Sequence, residues 1–268
     1  YVAAQFFAHL PAGEAKAQAS LTYGGYTSLV YATGILGGMI ADRYLGYQRS
    51  IILGGLLMAV GCFMLLSPEI HLFLIGLAVI VAGNGLFKPN ISTMVGKLYA
   101  PGDVRRDSGF TIFYMGINAG AFVAPLITAV WIGANYGYKY GFLAAAIGMI
   151  FGIAVFQVRK GMLGHVGKSP AGREGWGPVF NVLVGAILLV PVIYFLLSQS
   201  EILGVVLLAL FAGLAVYLIW SGYSETSVQG QKYIAMFLLF TANILFWALF
   251  EQAGASLNFL AQDHVNAP

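Results

Sequence analysis

The chain has 268 residues, of which 59% are hydrophobic and only 9% charged, with a formal net charge of +3. So little charge excludes a soluble globular domain, and the small, dispersed positive balance excludes a basic nucleic-acid surface. Continuous apolar runs of about twenty residues, where membrane strands would alternate over about ten, indicate an all-α polytopic membrane protein.

In chain order, "YVAAQFFAHL" reads as the tail of a helix that begins before Tyr1, since it lacks the basic region and cleavage site of a signal peptide. Full spans are expected at 19–41, 50–66, 72–96, 109–131 and 140–158. The Gly- and Lys/Arg-rich stretch "RKGMLGHVGKSPAGREGWGP" then reads as a linker, residues 159–177. Spans at 178–198 and 202–221, joined by "SQSE", form a membrane hairpin, and a last span covers 233–260. That is one partial and eight full helices, in a chain expected to be cut at both ends. Cys62 is the only cysteine, so neither an internal disulfide nor a cysteine metal cluster is available.

Taking alternate loops as one side, ten cations (Arg43, Arg49, Lys97, Arg105, Arg106, Arg159, Lys160, Lys168, Arg173 and Lys232) fall together, against Lys16 and Lys139 on the other side. The positive-inside bias makes the 41–49, 97–108, 159–177 and 222–232 loops cytoplasmic. Lys88 belongs to neither set. In "AGNGLFKPNISTMVGKLY" it follows an uncharged run from Leu72 and stands nine residues before Lys97. Nine helical residues rise roughly 14 Å, about half a bilayer core, too deep for the stem to snorkel out. A cation there is expected to face a watery cavity and a carboxylate. Pro89 should kink the helix beside it and free a backbone carbonyl toward that cavity.

Other buried polar groups accompany it. "GFTIFYMGINAGAFVAPL" places Tyr114 and Asn118 four apart on one face, and Tyr31 is the deepest tyrosine of "TYGGYTSLVYATG", with Tyr23 and Tyr26 nearer the interface. In "ANILFWALFEQAGASLNFLAQ", Glu251 has no charged neighbour between Lys232 and Asp263, and Trp247 precedes it by one turn. A carboxyl in a partly dry cavity suits reversible protonation. The segment "GGMIADRYLGYQRS" sets Asp42, Arg43, Gly46 and Arg49 in the turn after the second span. Its spacing resembles the loop signature of the major facilitator superfamily, which implies a conformational latch in which Asp42 and Arg43 gate without touching substrate.

"GLFKPNIS", "FYMGIN" and "FWALFEQAG" together resemble the proton-dependent oligopeptide transporter family of that superfamily, bacterial type, over essentially the whole chain. The resemblance implies a major facilitator fold. Residues 1–158 would be the amino-terminal bundle with its first helix partial, and 159–177 the cytoplasmic linker. Residues 178–221 would be an inserted hairpin, and 222–268 a linker plus the first helix of the second bundle. It also implies a substrate pocket of Tyr31, Lys88, Tyr114, Asn118, Trp247 and Glu251, with Lys88 and Glu251 in proton coupling. The expected activity is proton-coupled import of di- and tripeptides by alternating access, with another small anion such as nitrate as the alternative cargo. The family's first-helix motif of two glutamates and an arginine would precede Tyr1. An enzyme is disfavoured, because His9, His71, His165 and His264 all lie at helix ends or in loops, and no metal or cofactor is expected. Expected partners are small peptides, protons and the lipid bilayer, not nucleic acid, for a multi-pass monomer of the cell (inner) membrane.

Overall fold

The computed structural model describes residues 1–254 and 256–264, and these contain helices and turns but no strand. The helices are α1 (Val2–Phe6), α2 (Ala12–Ile40), α3 (Tyr47–Met64), α4 (Ile70–Lys97), α5 (Arg105–Pro125), α6 (Ala134–Tyr136), α7 (Tyr138–Arg159), α8 (Gly177–Ser198), α9 (Ser200–Ser224), α10 (Ser227–Phe250) and α11 (Ser256–His264). Seven described helical stretches are long and apolar enough to cross a membrane: Tyr47–Met64, Ile70–Lys97, Arg105–Tyr136, Tyr138–Leu163, Gly177–Ser198, Glu201–Ser224 and Ser227–Gly254. The remaining expected span is α2, which has 29 residues and ample length but carries Glu14, Lys16, Gln18 and a run of Ser, Thr, Tyr and Gly.

Three boundaries differ from the sequence reading. The last span does not run unbroken from 233 to 260. It starts at Ser227 and gives way to a 3-10 turn over Glu251–Gly254, before α11. The apolar run is broken there by Glu251 and Gln252, Gly254 is a poor helix former, and the Gln252 side chain turns back on the Ala248 carbonyl. The hairpin connection shrinks from "SQSE" to Gln199 alone. After Pro125, which cannot donate to the preceding turn, the helix widens into a π segment over Leu126–Gly133.

The chain forms two compact units, one of residues 1–9 and 26–198, the other of 10–25 and 199–268. In the first, α3 and α4 lie antiparallel on reciprocal glycine pairs. A Cβ on Gly54 would stand 2.5 Å from the Gly83 carbonyl oxygen, and one on Gly83 would stand 2.6 Å from that of Gly54. Gly61 and Gly76 oppose each other in the same way, at 2.7 and 3.0 Å. Each pair is spaced seven residues along its helix, so both glycines of a helix share one face and the backbones close together without side chains between. Glu69 starts α4, its carboxylate accepting from the amides of His71 (2.8 Å) and Leu72 (2.7 Å). Those two amide donors hold the carboxyl below its ordinary value.

The second half of α2 packs on α4 with equal closeness. Pro89 has no N–H, so the Gly85 carbonyl loses its helical partner. That carbonyl faces Gly37, where a Cβ would come within 1.8 Å of its oxygen. The Asn90 amide, fully buried, donates to the carbonyls of Gly37 (3.1 Å) and Leu86 (2.7 Å), and the Thr33 hydroxyl donates to that of Val81 (3.2 Å).

Gly37→Ala should therefore force α2 off α4 and cost roughly 1–3 kcal/mol, the usual range for overpacking. Gly38→Ala, whose new methyl meets nothing within 4 Å, should be close to neutral. Thermal unfolding of the two variants in detergent checks the contrast.

Candidate functional site

In the first unit, α4 carries Lys88 one residue before Pro89, and α2 carries Tyr31 two turns before Gly37. The α2–α4 contact brings them together: the Lys88 ammonium lies 4.2 Å from the centroid of the Tyr31 ring. No described carboxylate pairs with Lys88. The partner expected from the sequence is replaced here by an aromatic face, which attracts a cation by roughly 0.5–1 kcal/mol when exposed. One turn earlier, the buried Oδ1 of Asn84 has no hydrogen-bond partner among the described residues. Tyr114 and Asn118 stand on α5, both exposed, with the Tyr114 ring edge-on to Phe113 at 5.7 Å. The structure joins Lys88 to Tyr31, and neither Tyr114 nor Asn118 hydrogen-bonds to them.

In the second unit, Glu251 begins the 3-10 turn that interrupts α10. The Tyr23 hydroxyl, on the first half of α2, donates to Glu251 Oε2 at 3.3 Å. The Tyr23 hydroxyl oxygen lies 2.3 Å from where a Cβ on residue 254 would stand, so a methyl group there would push the end of the tyrosine side chain aside. Trp247 sits one turn before Glu251, edge-on to Phe246 (5.7 Å) and Phe250 (5.4 Å). Sequence reasoning placed Tyr23 near the interface and missed this contact, since nothing in "YGGY" marks a partner more than two hundred residues away.

A third cluster lies at the end assigned to the cytoplasm, again in the first unit. Ala41–Leu45 is a π-helical turn extending α2, closed by Gly46 in the left-handed region at φ 74°. The Tyr47 hydroxyl donates to the Asp42 carboxylate in a short bond, and the Lys97 ammonium lies 4.4 Å from the Tyr47 ring centroid. The ends of α2, α3 and α4 are thereby linked through one tyrosine. Residues 166–175, part of the stretch read as a linker, dock against this turn. Gln48 binds Val166 and Gly167 at 2.7 and 2.9 Å, and the Ser169 hydroxyl donates to the Leu45 carbonyl at 2.8 Å. Arg49 donates to the carbonyls of Arg173 (3.2 Å), Glu174 and Gly175 (2.8 Å). A Cβ on Gly46 would collide with the Lys168 carbonyl at 2.4 Å, so glycine serves both the turn and the docking.

Residues 48–267 match the POT family. The chain belongs to that family. It is 36% identical over 276 residues to the di-/tripeptide transporter of Lactococcus lactis subsp. lactis (strain IL1403), covering 95% of this chain and 54% of that protein. A crystal structure of the peptide transporter POT in complex with sulfate superposes with a TM-score of 0.75 at 35% identity, over 96% of this chain and 54% of that one. The tetrameric PepTSo2 superposes with a TM-score of 0.80 at 26% identity, over 92% and 54%. The all-α, major facilitator type of fold read from the sequence is thus shared with POT transporters. The chain spans about half the length of the curated relatives it matches.

The fit of Tyr23 against Gly254 predicts a coupling. Gly254→Ala should destabilise the protein when Tyr23 is present and be nearly neutral after Tyr23→Ala. Thermal unfolding of both single variants and the double variant should give an interaction of about 0.5–3 kcal/mol, the range for residues in contact. Additive effects would contradict the fit.

Proposed function

We propose that the full-length protein is a proton-coupled symporter that imports di- and tripeptides by alternating access, with two helix bundles rocking about a midplane site. One observation carries this reading: Lys88 stands deep in an apolar helix against an aromatic face, with no carboxylate beside it among the described residues. An ammonium kept uncompensated in a membrane helix serves an anionic ligand, and the terminal carboxylate of a peptide is such a ligand. In this reading Tyr31, Tyr114, Asn118 and Trp247 shape the rest of the pocket, which must accept many side chains while fixing charged ends. Glu251 sits in the 3-10 turn that follows α10, and there it exchanges the coupling proton. Asp42 and Arg43 act as the latch at the cytoplasmic end, since Asp42 is tied through Tyr47 to the ends of two further helices.

The relatives support a carrier and not an enzyme, and the names they bear point to di- and tripeptides; no observation favours nitrate. The transporting unit is taken as the single chain in the cell (inner) membrane, although the PepTSo2 relative assembles as a tetramer.

The test is uptake of a labelled dipeptide into liposomes by the full-length chain, with and without an inward proton gradient. Lys88→Ala should reduce gradient-driven uptake to the protein-free background while the protein remains folded and inserted. Glu251→Gln, fixed in a neutral form, should lose accumulation yet still bind and exchange peptide. Full gradient-driven uptake by Lys88→Ala would overturn the reading. Unimpaired accumulation by Glu251→Gln would place the coupling proton on another group.

A further inference from the structure

Within the first unit, α2, α4 and α8 enclose an open-sided groove of about 550 Å³. Its walls are apolar and include Leu36, Ile40, Leu86, Val182 and Leu189, with Gly185 leaving a gap in the α8 wall. Along α8 the lining runs from Pro178 to Leu189. Eleven helical residues rise about 16 Å, close to half of a hydrocarbon core of roughly 30 Å. The groove therefore has the depth of one leaflet.

Its open end is cationic. Arg43, Tyr44 and Arg173 line it there, on the side the charge bias assigns to the cytoplasm. The Arg173 guanidinium lies over the Tyr44 ring, 4.6 Å from its centroid, and its backbone is held by the Arg49 hydrogen bonds to residues 173–175. Among the described residues neither Arg43 nor Arg173 has a carboxylate partner. The nearby acids are engaged elsewhere in the turn and loop, Asp42 by the Tyr47 hydroxyl and Glu174 by the Gly172 amide at 3.2 Å. Two guanidinium groups, one of them seated on the Tyr44 ring, above an apolar slot one leaflet deep match a phosphate joined to an acyl chain.

We propose that this groove is a binding site for one acidic glycerophospholipid of the cytoplasmic leaflet, with its phosphate on Arg43 and Arg173 and one acyl chain lying along α8. Basic pockets between transmembrane helices on that side hold anionic headgroups, and arginine is suited to bidentate phosphate contact. The site is independent of what the protein carries. It also gives the first helix of the hairpin a role, as one wall of a lipid slot facing α2 and α4.

The test uses the full-length chain purified in detergent. A phosphatidylglycerol bearing a photoactivatable group on its acyl chain is added, and labelled peptides are mapped by mass spectrometry. Label should appear in residues 178–189 of α8 and 33–44 of α2. Labelling only elsewhere, as when the remainder of the chain fills the groove, would overturn the proposal. Native mass spectrometry should show one phosphatidylglycerol retained in preference to phosphatidylcholine, and equal retention of the two would also overturn it. Arg173→Gln should weaken retention about five-fold, the effect of removing one cation from beside an anionic headgroup. Gly185→Leu, whose first added atom meets nothing within 4 Å, fills the slot and should abolish labelling of α8. Where either variant fails to fold, the labelling pattern of the unmodified chain decides.

Discussion

The backbone contact between Gly37 and Gly85 is the constraint on which the first unit depends. Proline at position 89 removes one hydrogen bond from α4, and the carbonyl it frees needs a close neighbour that carries no side chain. Gly37 is that neighbour, and the Asn90 amide fastens the pair by binding a carbonyl on each helix. Lys88 follows Gly85 by less than one turn, and Tyr31 precedes Gly37 by less than two. The close approach thereby sets the lysine over the tyrosine ring. A methyl group at 37 would separate the helices and, with them, the Lys88 and Tyr31 side chains.

The same economy of side chains recurs wherever the protein must hold polar backbone in an apolar setting. Gly54 meets Gly83, Gly61 meets Gly76, Gly46 meets Lys168 and Gly254 meets the Tyr23 hydroxyl. Lipid supplies no hydrophobic force between helices, so close packing and internal hydrogen bonds carry the assembly. Around the turn after α2, charged and polar side chains take over. Arg49, Gln48 and Ser169 bind backbone carbonyls and so convert the stretch after α7 from a tether into a docked element. Asp42, bound by the Tyr47 hydroxyl, then lies in the same hydrogen-bonded body as the stretch that leads to the hairpin.

The helical class and most span positions were legible in the sequence because long apolar runs have few other solutions in a membrane. Lys88 and Glu251 stood out because each is a lone charge in a long apolar run, where a snorkelling stem or a permanent salt bridge is the competing explanation. The partners of these groups were not. Tyr23 meets Glu251 across more than two hundred residues, and no local pattern encodes that pairing. The polar residues Glu251 and Gln252 with Gly254 marked the segment as locally polar and flexible, but the apolar runs on either side let the span be read through it, and the 3-10 turn was not foreseen. Docking of 166–175 was invisible for a different reason: its acceptors are backbone carbonyls, which every residue type presents alike. For α2 the composition understated the helix, since its polar residues lower its hydropathy without shortening it.

The central claim is that Lys88 exists for a substrate carboxylate. Its most direct test compares competition by a dipeptide and by its carboxyl-terminal amide for binding to the full-length protein, before and after Lys88→Ala. The account predicts that the unmodified protein prefers the free carboxylate by at least tenfold, about 1.4 kcal/mol, and that Lys88→Ala abolishes the preference. A preference that survives the substitution unchanged would contradict it.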